Sequence, residues 1–121
     1  MKDYCIRVTT GNKEVRAFFA STKNMVETAR GFHNTTKVAT AALGRTLTAT
    51  SMMGLMMKNK GDKITVIIKG GGPIGTILTS SNANGIVKGY VTNPDVEVEN
   101  YASGKLNVAG AVGNQRILGY L

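Results

Sequence analysis

The stretch Lys69-Gly70-Gly71-Gly72-Pro73-Ile74-Gly75 carries the spacing G-x-G-x-x-G at Gly70, Gly72 and Gly75, directly after the β-branched run "ITVII". In a dinucleotide-binding enzyme this pattern cradles a pyrophosphate. The glycines let backbone approach the phosphates, and the N-terminus of the next helix faces their charge. That chemistry needs strand, loop, then helix. Here "TILTSSNANG" follows, a β-branched stretch closing on an Asn-Gly turn signal, with no room for a crossover helix. Asp95 stands where a ribose-binding acid would, yet it follows Pro94 in a loop-like segment. Without its βαβ context the motif specifies no nucleotide. Gly70, Gly72 and Gly75 are expected to form a structural turn between antiparallel strands.

The other reactive side chains assemble no site in sequence. His33, the one histidine, falls at an inferred helix end, where the dipole favours a cation. Cys5, the one cysteine, excludes an internal disulfide and a cysteine-based zinc site within this chain. Within "YCIRV" it reads as a small buried hydrophobe. Glu97 and Glu99 alternate on one face of an extended segment without a partner base. Ser51, Ser80 and Ser81 lack a nucleophile-elbow pattern. No catalytic residue and no metal ligand is assigned, and an enzyme is not expected.

The elements around these residues follow from periodicity. Residues 3–10 and 13–20 read as two strands joined at Gly11-Asn12, a hairpin signal. A helix over about 24–33 begins at Asn24, paired with Glu27 as a capping box, and places Met25, Val26, Ala29 and Phe32 at helical spacing. A second helix over about 36–58 is capped by Thr35 or Thr36, and Lys58, Asn59, Lys60 and Gly61 stop it. Residues 38–57 carry one charge, Arg45, among Thr40, Thr46, Thr48, Thr50 and Ser51. An arginine and hydroxyls in mid-helix disfavour a membrane span and favour the buried central helix of a soluble domain. After Gly61 the period becomes two in "KITVIIK", "PIGTILTSS" and "IVKGYVT", with Asn84-Gly85 as a two-residue turn. "NPDVEVENYASGK" reads as a partly extended loop. The rest stays open between a short helix at Val108–Val112 and an apolar tail. The fold class is α+β: a largely antiparallel sheet with an N-terminal hairpin, packed against two consecutive helices.

At 121 residues the chain has the size of one domain. A net charge of +8 raises nucleic acid as a partner. However, the fifteen Lys and Arg form no run of three, and aromatics are not interleaved with them as a base-stacking platform requires. A small basic nucleic-acid-binding domain is therefore the alternative reading, and nucleic acid is disfavoured as a partner. "MKDYCIRVTT" has no apolar signal-peptide core, so a cytoplasmic protein is expected.

Taken in order, "DYCIRVTTGNKEVRAFFASTKNMVETARGFHNTTKVATAALGR", "TLTATSMMGLMMK", "ITVIIKGGGPIGTI", "NANGIVKGYVTNP" and "GKLNVAGAVG" resemble one family. It is the redox-regulated bacterial holdase chaperones, the thirty-three-kilodalton heat-shock chaperonins, whose amino-terminal core is matched over about residues 3–113. The resemblance implies an α+β core, a homodimer or larger assembly, and ATP-independent binding of unfolding client proteins under oxidative or heat stress. It also implies a carboxy-terminal module holding zinc on a Cys-x-Cys and a Cys-x-x-Cys pair. Oxidation of those thiolates releases the metal and unfolds a linker.

This chain ends at Leu121 without those cysteines, and Cys5 matches none of them. The expectation is a single, incomplete N-terminal core domain over 1–121, with the redox and zinc module absent and no cofactor in this chain. The tail "NQRILGYL" departs from the family's glycine-led strand. Missing strands would leave sheet edges and apolar faces open around Ile64, Val66, Ile68, Ile77 and Val91, the expected client-binding or association surface. Met52 and Met56, with Met53 and Met57, add adaptable apolar side chains, for which packing into the core is the competing reading.

Overall fold

The computed structural model describes residues 1–114 and 118–120. The opening hairpin pairs β1 (Tyr4–Thr9) with β2 (Arg16–Ser21) in antiparallel register, Ile6 opposite Phe19 and Val8 opposite Ala17. Two helices follow, α1 (Lys23–His33) and α2 (Lys37–Leu55). The β-branched half then supplies β3 (Lys63–Lys69), β4 (Thr76–Asn82) and β5 (Val87–Val91). After α3 (Val108–Val112), β6 (Leu118–Tyr120) joins the open edge of β3. The result is a two-stranded and a four-stranded sheet, the latter in the order β5-β4-β3-β6 with antiparallel neighbours. The fold is α+β as expected, with an N-terminal hairpin and two consecutive helices.

The core lies between α2 and one face of the larger sheet. Val38, Ala39, Ala42, Leu43 and Leu47 of α2 are buried with Ile74, Ile77 and Val91. Each of the valines, leucines and isoleucines among them contributes roughly 1.5–3 kcal/mol by leaving water. Small residues bring the layers together: a Cβ on Gly54 would lie 2.2 Å from Ser81 Oγ, and one on Gly89 would lie 3.1 Å from Leu47 Cδ2.

The hydroxyls that argued against a membrane span are satisfied locally. Thr46 donates to the Ala42 carbonyl and Thr50 to that of Thr46. With the Thr50 proton so used, buried Thr79 donates to Thr50 Oγ1 at 2.6 Å across the helix–sheet interface. Back-bonding of this kind lets threonine enter an apolar interior. Among the described residues, no helix is long and apolar enough to cross a membrane.

Several boundaries differ from the sequence reading. The hairpin loop is longer than Gly11-Asn12, because Thr10 to Lys13 form a turn closed by Lys13 N–H on the Thr10 carbonyl, with Lys13 at φ 61°. In α1, Asn24 does not cap. Thr22 holds the N-cap position, but its hydroxyl is engaged with Thr48 Oγ1 at 2.7 Å. Asp3 substitutes from far away in sequence, its carboxylate accepting from Asn24 N–H at 2.9 Å and Met25 N–H at 2.7 Å.

Thr36 does cap α2, accepting from Ala39 N–H while donating to the Val96 carbonyl in the loop after β5. That helix stops at Leu55, so Lys58 and Lys60 lie beyond it and no cation occupies its last turn. Asn84-Gly85 is not the centre of a two-residue turn: Gly85 N–H bonds the Asn82 carbonyl and Gly85 alone takes positive φ, at 75°. The short helix at Val108–Val112 is present as α3. Of the tail "NQRILGYL", residues 115–117 and 121 lie outside the described residues.

Candidate functional site

The glycine segment connects β3 to β4, two antiparallel neighbours, and is followed directly by a strand where a phosphate site needs a helix. What approaches its backbone is another stretch of backbone. Gly72 N–H donates to the Val112 carbonyl and Ile74 N–H to that of Ala111, both at 3.0 Å. A Cβ on Gly70 would lie 2.2 Å from Val112 O, and one on Gly72 2.4 Å from Ala111 O. Gly75 adopts φ 80°, a conformation glycine enters without steric cost. The end of α3 thus takes the place a phosphate would need.

The remaining chemistry-bearing residues stay apart. Cys5 is exposed on β1, not buried as its strand context suggested, because α2 reaches its face of the hairpin near Leu55 without covering the thiol. His33 ends α1 half-buried, beside a cleft of about 280 Å³ shared with Phe32, Val87 and Lys88. Glu97 and Glu99 are exposed on the loop after β5. Ser51 donates to the Gly85 carbonyl at 2.6 Å, a structural bond. The Arg30 guanidinium bonds Glu27 and holds its carboxyl below the usual glutamate range. Among the described residues no three of His, Cys, Asp and Glu converge. These residues do not fit a zinc ion.

What the surface offers is apolar area, distributed differently from the sequence expectation. Ile64, Val66, Ile77 and Val91 point at α2 and are buried, and Ile68 packs half-buried against the same core. The expected open face is therefore covered, by α2, and those five residues supply core in this chain. Met52, on the flank of α2, and Met56, just past its end, are half-buried. Met52 lines a groove of about 420 Å³ with Thr22, Val26 and Arg45.

Strand parity assigns the opposite face to the alternate residues. One rung across β3, β4 and β5 is Ile67, Leu78 and Tyr90, with Tyr90 46% exposed. The alternation in "KITVIIK" carried that signal, since a period of two sends neighbours to opposite faces. The hairpin is barer still. Tyr4, Ile6, Val8 and Phe19 share one face and are each about half exposed, from 49% to 57%. Nothing in the alternation of β1 and β2 distinguished a covered face from an open one.

Comparison with known proteins bears on what such a surface is for. The family model described as "Hsp33 protein" matches residues 3–121. The chain is 69% identical over 118 residues to the 33 kDa chaperonin of Clostridioides difficile, covering 98% of this chain and 40% of that protein. It is 58% identical to the 33 kDa chaperonin of Alkaliphilus metalliredigens, with 94% and 39% covered. The crystal structure of the 33 kDa chaperonin (heat shock protein 33 homolog) from Thermotoga maritima superposes with a TM-score of 0.85 at 29% identity. That match covers 97% of this chain and 44% of the other. The chain spans about two-fifths of the length of the curated relatives it matches.

Proposed function

This chain belongs to the Hsp33 protein family, and from that membership we propose that it is the client-holding core of an ATP-independent holdase chaperone. The family is one of chaperonins and not of enzymes, in keeping with the scattered His33, Cys5 and carboxylates. The observation that carries the proposal is the hairpin face of Tyr4, Ile6, Val8 and Phe19, an apolar strip with no cover among the described residues. Exposed contiguous apolar area of this kind marks an interaction surface. The rung Ile67, Leu78 and Tyr90 is a second such strip, and Met52 and Met56 extend the apolar surface along α2.

In this reading the partners are unfolding proteins, captured in the cytoplasm under oxidative or heat stress. The redox switch resides in a zinc module outside this sequence, and this chain holds no zinc. Two-stranded hairpins are marginal on their own, so the chain self-associates to a dimer or larger through the open edges of β1 and β2. The test is light scattering from a heat-unfolding client without nucleotide. Dose-dependent suppression by the purified chain, unaltered by ATP, is expected. Scattering that stays undiminished at several-fold excess overturns the proposal. Sedimentation of the same sample reads the assembly, and zinc analysis reads the metal.

A further inference from the structure

We propose that the outer face of β3, β4 and β5 selects client segments in which carboxylates flank an apolar side chain. This deepens the holdase reading and rests on it. The layout follows from register. The apolar rung Ile67–Leu78–Tyr90 is bordered on one side by Thr65–Ser80–Lys88 and then Lys63–Asn82, and on the other by Lys69–Thr76. Residues 63–92 contain three charges, Lys63, Lys69 and Lys88, and no Asp or Glu. Parity puts all three lysines on this face, and all are exposed.

No carboxylate among the described residues pairs with them, since the ion pair found there is Arg30–Glu27. Asp62, just before β3, is turned into its own loop, where it accepts from Asn59 N–H at 3.2 Å. Lys63 and Lys88, with Ser80, Asn82 and Ile86, are among the residues lining a depression of about 270 Å³.

An apolar strip ringed by ammonium groups favours acidic partners and repels basic ones. Along an extended segment, side chains on one side recur every second residue, at roughly 6.6 Å. Ile67 to Lys69 is one such step and Ile67 to Lys63 is two. An apolar residue seated on the rung therefore meets a lysine with a carboxylate two positions away on one side and four on the other. The partner is a polypeptide and not a nucleic acid, because the rung has one aromatic beside two aliphatics and its cations are lysines. Base-binding platforms stack on several aromatics, and phosphate recognition favours the bidentate arginine fork.

Fluorescence anisotropy tests the idea on the purified chain. The probes are short unstructured peptides with a central Leu and Glu, Ser or Lys at the two flanking positions. The Glu peptide is expected to bind about tenfold tighter than the Lys peptide at low salt, the sum of a few surface ion pairs. That gap narrows as added salt shortens the screening length. In the triple variant Lys63→Gln, Lys69→Gln, Lys88→Gln the Glu peptide drops to the affinity of the Ser peptide, whereas the triple Lys→Arg variant keeps the preference. Equal binding of all three peptides overturns the selectivity and leaves the holdase reading standing. Tighter binding of an oligothymidylate, lost in the Lys→Gln variant, also overturns it by giving the face to nucleic acid. Failure to bind any peptide, with no suppression of aggregation, overturns both.

Discussion

Ile6 in the hairpin and Ile77 in the four-stranded sheet are the same side chain on the same extended, antiparallel backbone. Ile6 is 50% exposed and Ile77 is 1% exposed. The larger sheet has α2 laid across one face, so its inward residues seal against Leu43 and Leu47. The hairpin meets α2 near Leu55, where Cys5, Arg7 and Phe18 line a shallow pocket. Burial of a strand thus depends on what is stacked on it, which strand propensity does not encode. The consequence is a contrast of faces: the larger sheet seals one face under α2, whereas the hairpin leaves the face of Tyr4, Ile6, Val8 and Phe19 accessible.

The widest separation should come from truncating the two isoleucines. Ile77→Ala is expected to cost about 2–5 kcal/mol in urea denaturation, as buried aliphatics do, and Ile6→Ala about 1 kcal/mol or less. Equal losses would break the comparison. The connecting loops give the next contrast. Gly72→Ala drives a Cβ into the Ala111 carbonyl and should cost about 1–3 kcal/mol. Gly11→Ala in the hairpin loop has open space around it and should shift stability by about 0.5 kcal/mol or less.

Smaller again is the tether that holds the hairpin's start to α1. Asp3→Ala removes the remote cap and should cost about 1 kcal/mol, seen as faster hydrogen exchange at Asn24 and Met25, with Asp3→Asn intermediate. The smallest effect lies outside both sheets. The folded-state pKa of Glu27 is depressed, so its contribution is present above the unfolded value and fades as pH falls through the folded one. Because the pair is exposed at the surface, Glu27→Gln should leave the neutral-pH melting temperature nearly unchanged. It should slightly flatten the loss of stability in acid.

Periodicity located the hairpin, both long helices and the three β-branched strands, because each carries its pattern within a few residues, and it left α3 open between a short helix and an apolar tail. It missed where partners are distant. Nothing near Asn24 signals that Asp3 will cap α1, and Met56 and Met57 prolong an apolar pattern past the true end of α2. The candidate surface was legible only in part. "KITVIIK" holds two faces: Ile64, Val66 and Ile68 are the more regular set, and that regularity marks the covered side. Ile67, an extra apolar residue on the polar parity, was the signal for the outer face. The glycines announced a turn, but their dependence on α3 has no local trace.

That dependence has a consequence for the order in which the molecule is made. The loop at Gly70–Gly75 leaves the ribosome on the order of forty residues before the carbonyls of Ala111 and Val112 that it must bind. At ~5–20 residues per second this is a wait of roughly 2–8 s. During that interval β3, β4, β5 and α2 can already be assembled, while the amides of Gly72 and Ile74 still face water. Docking of α3 is then a late clasp on a loop already made, and a nascent chain halted before residue 111 should be more open to proteolysis at this loop than one that carries α3.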